Sequence, residues 1–242
     1  MVADGWSGGL STDGGLASSP LARICRVGVR SVPVTGASVS LITGTGNRST
    51  VYASDVVSAG LEDLQFDLGE GPGIDAFGAR QPVLVADLGD PRRGVGGRWP
   101  AFAPAAWAAG ARAVFAFPLL LGAARLGVLL LYRDRPEALD SAQLARALRL
   151  ADGAFFALFD QLAGSIPSAS GDVDREWHGP DVAFHRAQVY QAAGMLTVDL
   201  DVSIEEAMVR LRAHAFASDR PVADVAAEIV GRILRLEEDN GG

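Results

Sequence analysis

The spacing of apolar positions changes several times along this chain, and each change marks a different kind of element. Leu21, Ile24, Val27 and Val32 recur at helical intervals and predict an opening helix packed on a sheet. GASVSLIT (Gly36–Thr43) and RSTVYAS (Arg48–Ser54) have strand character, with Gly44-Thr45-Gly46-Asn47 as the turn of a hairpin. A helical stretch over Gly60–Leu68 leads into a loop, GEGPGIDAF (Gly69–Phe77), and then a strand, QPVLVADL (Gln81–Leu88). The alanine-rich AFAPAAWAAGA (Ala101–Ala111) predicts a short helix. A second hairpin, AVFAFPLLL and ARLGVLLLYR, turns at Gly122-Ala123, and Ser141–Leu162 predicts a long closing helix. Strands arriving as hairpins, with helices at both ends, predict an α+β domain with an antiparallel sheet.

The pattern breaks at GSIPSASGDVDREWHG (Gly164–Gly179), where Gly, Ser, Pro and Asp concentrate as in a linker. Beyond it the periodicity is helical throughout. A first helix is expected over Asp181–Val198 and a turn over Asp199–Val202. A second helix opens at Ser203, whose hydroxyl and Glu206 would form a capping box, and carries the stripe Ile204, Met208, Leu211, Ala215. A third begins at Pro221 with Val222, Val225, Ile229 and Ile233 on its apolar face. The expected organisation is therefore a disordered tail over 1–19, a domain over 20–163, a linker over 164–180 and an all-α three-helix domain over 181–237. Three short helices bury a minimal core, which favours dimerisation or docking to a partner.

Composition narrows the function classes. Of 242 residues, 49% are apolar and 21% charged, as in ordinary globular domains. The net charge of -8 argues against broad electrostatic attachment to DNA or to acidic membranes, while leaving room for a local basic face. Every cation is arginine. The single cysteine, Cys25, excludes an intrachain disulfide or a cysteine metal cluster, and its place on the apolar side of the opening helix predicts a buried small hydrophobe. Met1–Ser19 lacks the basic start and apolar stretch of a signal peptide. Ala113–Tyr132 is apolar enough to suggest a membrane helix, but Pro118, Gly122, Arg125 and Gly127 interrupt it. A buried hairpin is the better reading, with a cytoplasmic location and no membrane. His178, His185 and His214 all lie beyond the first domain, leaving it no histidine for haem or non-haem iron. With no nucleophile beside a base and no metal constellation, the chain is not read as an enzyme, and no cofactor is called for.

Val189–Leu234 carries the most specific pattern: Gln191-Ala192 with Gly194-Met195-Leu196, then Ser203, Glu206-Ala207, Leu211-Arg212 with Ala215, and finally Arg220-Pro221-Val222 with Asp224-Val225-Ala226. On these residues the segment resembles an ANTAR domain, the RNA-binding output module of bacterial antitermination regulators. Gly69-Glu70-Gly71-Pro72, Ile74-Asp75-Ala76-Phe77, Arg98-Trp99-Pro100 and the strands at Phe115–Leu119 and Leu126–Leu129 make the first domain similar to a GAF domain of the actinobacterial kind that precedes ANTAR modules. The resemblance implies a homodimer that binds paired stem-loops in nascent RNA, preventing a terminator hairpin, under control of a sensor domain with a small-molecule ligand.

The candidate RNA-binding residues are Arg186, Gln191, Gly194, Arg210, Arg212 and Arg220. Guanidinium groups clamp phosphates and stack on splayed bases, whereas the plainer role for each arginine is a solvated helix face or a carboxylate pair. For Gly194 the alternatives are helix packing and close approach of RNA; Tyr190 and His214 could stack on bases or simply pack. From Asp181 to Asp239 six arginines face eleven acidic residues, so RNA binding requires the guanidinium groups to gather on one face. Two positions depart from the family pattern: Ala193 replaces a common lysine, and Asp219 a common asparagine. A candidate ligand pocket in the first domain comprises Glu70, Asp75, Phe77, Trp99 and Phe115, although Trp99, Phe102 and Trp107 equally suit core packing. The alternative reading is a sensor or dimerisation protein whose acidic helical domain binds a protein, not RNA.

Overall fold

The computed structural model describes residues 19–43, 48–90, 95–164 and 180–236. Residues 1–18 of the expected tail, the turn at 44–47 and residues 165–179 of the expected linker lie outside the described residues. Helix α1 (Pro20–Ser31) starts at Ser19, whose Oγ accepts the Ala22 N–H at 3.1 Å, with Pro20 suited to the first turn. Strands β1 (Gly36–Ile42) and β2 (Arg48–Ala53) are followed by helices α2 (Val56–Leu68) and α3 (Pro72–Ala79). Next come β3 (Val83–Val85), α4 (Val95–Arg98), α5 (Phe102–Ala108), β4 (Ala113–Leu121), β5 (Ala124–Arg133) and α6 (Ser141–Gly164). The five strands lie in the order β2-β1-β5-β4-β3, every pair antiparallel. This is the expected α+β architecture, an antiparallel sheet with flanking helices.

Both faces of the sheet are covered, and the two-residue period of the strands divides them. Ala113, Phe115, Phe117 and Leu119 of β4 and Leu129 and Leu131 of β5 pack beneath α1 and α6 with Leu21, Cys25, Phe155 and Leu158. Val114, Ala116, Val128 and Leu130 point the other way, toward Leu61, Trp99 and Phe102. A strand buried on both faces is apolar at every position, which is why Ala113–Tyr132 looks like a membrane segment. Among the described residues no helix is long and apolar enough to cross a membrane.

Several boundaries differ from the expectation. Six of the nine residues of GEGPGIDAF belong to helix α3, because Pro72 presets its first turn and Gly71, at φ 139°, makes the corner before it. Helix α2 starts four residues early, at Val56, where the Asp55 carboxylate caps it through the Ser58 N–H at 2.9 Å. The strand expected over Gln81–Leu88 pairs only at Val83–Val85, and the single-turn α4 has no counterpart in the apolar spacing. Val27 is 52% exposed, since the buried side of α1 is Leu21, Ala22, Cys25 and Gly28.

Helix α2 is the firmly anchored element of the second layer. Tyr132 donates its hydroxyl to Asp55 at 3.0 Å, tying the cap to the sheet. Further along, buried Glu62 accepts from Ser38 at 2.8 Å and pairs with buried Arg48 at 3.2 Å. Burial pushes the Arg48 guanidinium below its ordinary pKa while Glu62 holds it up.

The C-terminal unit consists of α7 (Pro180–Asp199), α8 (Ile204–Ala217) and α9 (Val222–Val230). Val189, Ala192, Leu196, Met208, Leu211, Val225 and Ile229 form its core, together with one residue of the first unit, Phe66 on α2. Only half the capping box forms. Ser203 Oγ accepts the Glu206 N–H at 3.2 Å, but the Glu206 carboxylate turns to Arg210. Ile233 is 79% exposed rather than part of an apolar face, because α9 ends at Val230 and Arg232 takes φ 56°.

Two outcomes follow. Glu62→Gln leaves the Arg48 charge buried without its counter-ion, and denaturant unfolding should show a loss of about 3–5 kcal/mol. Burial pushes the Cys25 thiol up to about 12, so at pH 8 the native protein should resist iodoacetamide and become alkylated only on unfolding.

Candidate nucleic-acid interface

The six candidate RNA-binding residues divide into three groups. Arg186 and Arg212 point into the seam between the two units. Arg186, 7% exposed, donates from Nη2 to Asp63 Oδ1 at 2.7 Å and to Thr50 Oγ1 at 3.1 Å, and from Nη1 to the Arg48 carbonyl at 3.4 Å. Arg212 donates from Nε and Nη2 to the carbonyl of Phe66, at 3.1 and 2.8 Å. Arg210 and Arg220 instead pair with acidic residues of their own unit. Arg210 meets Glu206 one turn earlier at 2.6 Å, and Arg220 grips both carboxylate oxygens of Glu228, at 3.0 and 2.6 Å. Gln191 is exposed, and Gly194 has nothing within 4 Å of where a Cβ would sit. Packing within the chain therefore does not require that glycine.

The expectation of one open positive face is thus not met in this arrangement. The arginines are distributed by local chemistry: two have carboxylates within reach in their own unit, and two have better acceptors across the seam. The Phe66 carbonyl belongs to the last turn of α2 and has no helical N–H to accept, so a guanidinium there caps the helix at the negative end of its dipole. Gly69 completes the arrangement. It takes the left-handed conformation at φ 69° that ends α2, and a Cβ on it would lie 3.0 Å from Arg212 Nη1.

Phe66 sits in the middle. Its ring lies 4.8 Å from the Arg186 guanidinium carbon and 5.9 Å from that of Arg212, and meets Tyr190 edge-on at 5.7 Å between centroids. The Tyr190 hydroxyl accepts the Arg48 backbone N–H at 2.6 Å. Burial raises the pKa of Asp63, against the pull of Arg186, and also raises that of Tyr190. Ala193 is fully buried in the helical core, and Asp219 holds φ 51°, a conformation that Asp and Asn adopt more readily than other side chains.

Four of the five candidate pocket residues cluster around α3. Glu70 Oε1 accepts the N–H groups of Ala101 and Phe102 at 2.8 and 2.7 Å, capping the first turn of α5. Asp75 Oδ2 accepts from Arg98 Nε at 2.7 Å and from Trp99 Nε1 at 3.1 Å. Phe77 lies under the Arg125 guanidinium, 4.7 Å away. A cleft of about 330 Å³ beside them is lined by Leu84, Val85, Val95, Arg98 and Trp99. Phe115 is not part of this cluster: the β4 pleat sends it to the opposite face of the sheet, under α1 and α6.

Residues 184–230 match the family model of the ANTAR domain. The C-terminal helices are an ANTAR domain. Its match begins in α7 just before Arg186 and ends with α9. The first unit shows distant likeness to solved structures. One is a domain of a two-component sensor histidine kinase protein from Sinorhizobium meliloti, at 18% identity and TM-score 0.47, covering 59% of this chain and 90% of that one. Another is the GAF domain of a phosphoenolpyruvate-protein phosphotransferase from Acinetobacter, at 12% and 0.46, covering 64% and 92%. A third is the second GAF domain of DevS from Mycobacterium smegmatis, at 17% and 0.41, covering 60% and 94%. No curated protein matches the chain.

Sequence reasoning missed Asp63, Phe66 and Asp67, which approach the ANTAR domain from α2. A signal was present. Phe66 falls off the stripe Leu61, Leu64, Leu68 and is flanked by Asp63 and Asp67 at spacings that share one helix face. The seat of Arg212 can be tested by a double-mutant cycle. Gly69→Ala should lower the melting temperature, and the drop should shrink in an Arg212→Ala background, because part of it comes from the crowded guanidinium.

Proposed function

We propose that this protein is an RNA-binding transcription antitermination regulator, with sensory input at the GAF-like unit and stem-loop RNA bound by the ANTAR helices. The observation that carries this reading is the ANTAR match over residues 184–230. The side chains at the seam suit the role. Arg186 and Arg212 each provide about five guanidinium N–H donors in a rigid fork, and Tyr190 provides an aromatic edge. Unpaired loop nucleotides are held by this combination, phosphates by the forks and bases by stacking. The reading extends to a cytoplasmic homodimer with a small-molecule ligand near Glu70, Asp75, Phe77 and Trp99, and both domain types are regulatory rather than catalytic.

A second reading has one specific observation in its favour: the ANTAR helices already grip a protein surface, the outer face of α2. On that reading the helical domain binds protein and not RNA.

A mobility-shift titration of the full chain with RNA carrying two adjacent stem-loops separates the two. The RNA reading expects binding at low salt that weakens steeply as salt rises. Arg186→Ala with Arg212→Ala should then reduce affinity and flatten the slope of log K against log salt by about 0.7–0.9 for each phosphate that is no longer neutralised. Equal affinity of wild type and double variant would favour the protein-binding reading.

A further inference from the structure

The outer face of α2 presents, in order, a carboxylate, an aromatic ring and a second carboxylate: Asp63, Phe66 and Asp67. The ring contributes to neither core of its own unit but is 4% exposed within the ANTAR core. Around it stand two guanidinium groups and a tyrosine, and Asp63 Oδ1 accepts from Arg186 Nη2 at 2.7 Å. A carboxylate oxygen on a guanidinium N–H stands where a phosphate oxygen would be held. A flat apolar ring between guanidinium groups and an aromatic side chain occupies the position of an unstacked base.

We infer that Arg186, Tyr190 and Arg212 form a pocket for an extruded loop base and its neighbouring phosphate, and that the Asp63–Phe66 face of α2 fills this pocket as an internal mimic of the nucleotide. RNA and α2 then compete for the same side chains. The GAF-like unit holds the ANTAR domain silent while the two stay docked, and any input that turns or withdraws the end of α2 releases it. The inference rests on the RNA reading above and specifies its site and control. The docked arrangement is suited to reversal. Among the described residues its polar part consists of hydrogen bonds and the Arg186–Asp63 ion pair, which water and RNA phosphates can replace, and interfaces between domains permit relative motion. Among the described residues, Phe66 is the member of the first unit that is buried in the core of the three helices.

The test uses the full chain with Phe66→Ala, and separately with Asp63→Arg, which keeps the ring but sets like charges against Arg186. Small-angle X-ray scattering reads domain separation. Affinity is measured for a pool of two-stem-loop RNAs with randomised loops and for a blunt duplex of equal length. Expected are expanded particles that bind the loop pool about tenfold tighter than wild type, as an undocked fraction raised by that factor requires. The duplex should gain far less, and adding Arg186→Ala should abolish the gain. Expansion with unchanged, measurable loop affinity would overturn the inference and leave the RNA reading standing. An equal gain for duplex and loops would overturn the base pocket. Failure of every form to bind RNA would remove the RNA reading and this inference together, and unchanged scattering in both variants would show that α2 does not hold the domain.

Discussion

A helix that ends in the open leaves its last carbonyls without donors, and the end of α2 meets that constraint with a residue from another unit. Arg212 of the ANTAR domain donates twice to the Phe66 carbonyl, and the Gly69 backbone makes room for it. The same turn sends the Phe66 ring into the core of the three helices. One short stretch of α2 thus satisfies two needs at once, its own dangling acceptor and the thin hydrophobic core of its neighbour. Three short helices bury little apolar surface by themselves, and an aromatic ring adds about 150–250 Å².

The charge distribution follows from that docking. The ANTAR domain carries more carboxylates than arginines, yet its arginines do not simply neutralise one another's neighbours. Arg210 and Arg220 form pairs at half-exposed positions, where such pairs contribute little to stability. Arg186 and Arg212 are drawn into the seam, where fewer water molecules screen them and each hydrogen bond counts for more. The two arginines proposed to hold RNA are therefore the ones best held by protein in this arrangement. On the proposed reading a single set of guanidinium groups serves both, and protein and RNA compete for it.

The candidate pocket and the seam lie at adjacent points of the same structural corner. Glu70, which caps α5, directly follows Gly69, which seats Arg212. Gln65 at the end of α2 accepts the Gly73 N–H of α3 at 2.7 Å. A displacement of α3 or α5 must therefore be absorbed at the end of α2, since its other end is fixed through Asp55 to the sheet. Proximity alone is not coupling, and in the proposed mechanism the two-state element that coupling needs is the ANTAR domain, docked or released.

The residue pattern alone was enough for the architecture and for the kind of output domain. Period-two runs buried on both faces, the capped helix at Ser203 and the spacing from Gln191 to Ala226 depend on neighbours a few positions away, and local sequence carries such information. Cys25 was legible for the same reason. The pairing of Arg186 with Asp63 and of Arg212 with the Phe66 carbonyl was not, because these groups are 123 and 146 positions apart. A surface-looking LEDLQFDL gives no address for its odd phenylalanine. Which arginines stay open and which are enclosed is decided by how two units meet, a long-range geometry that no helical period or local motif encodes.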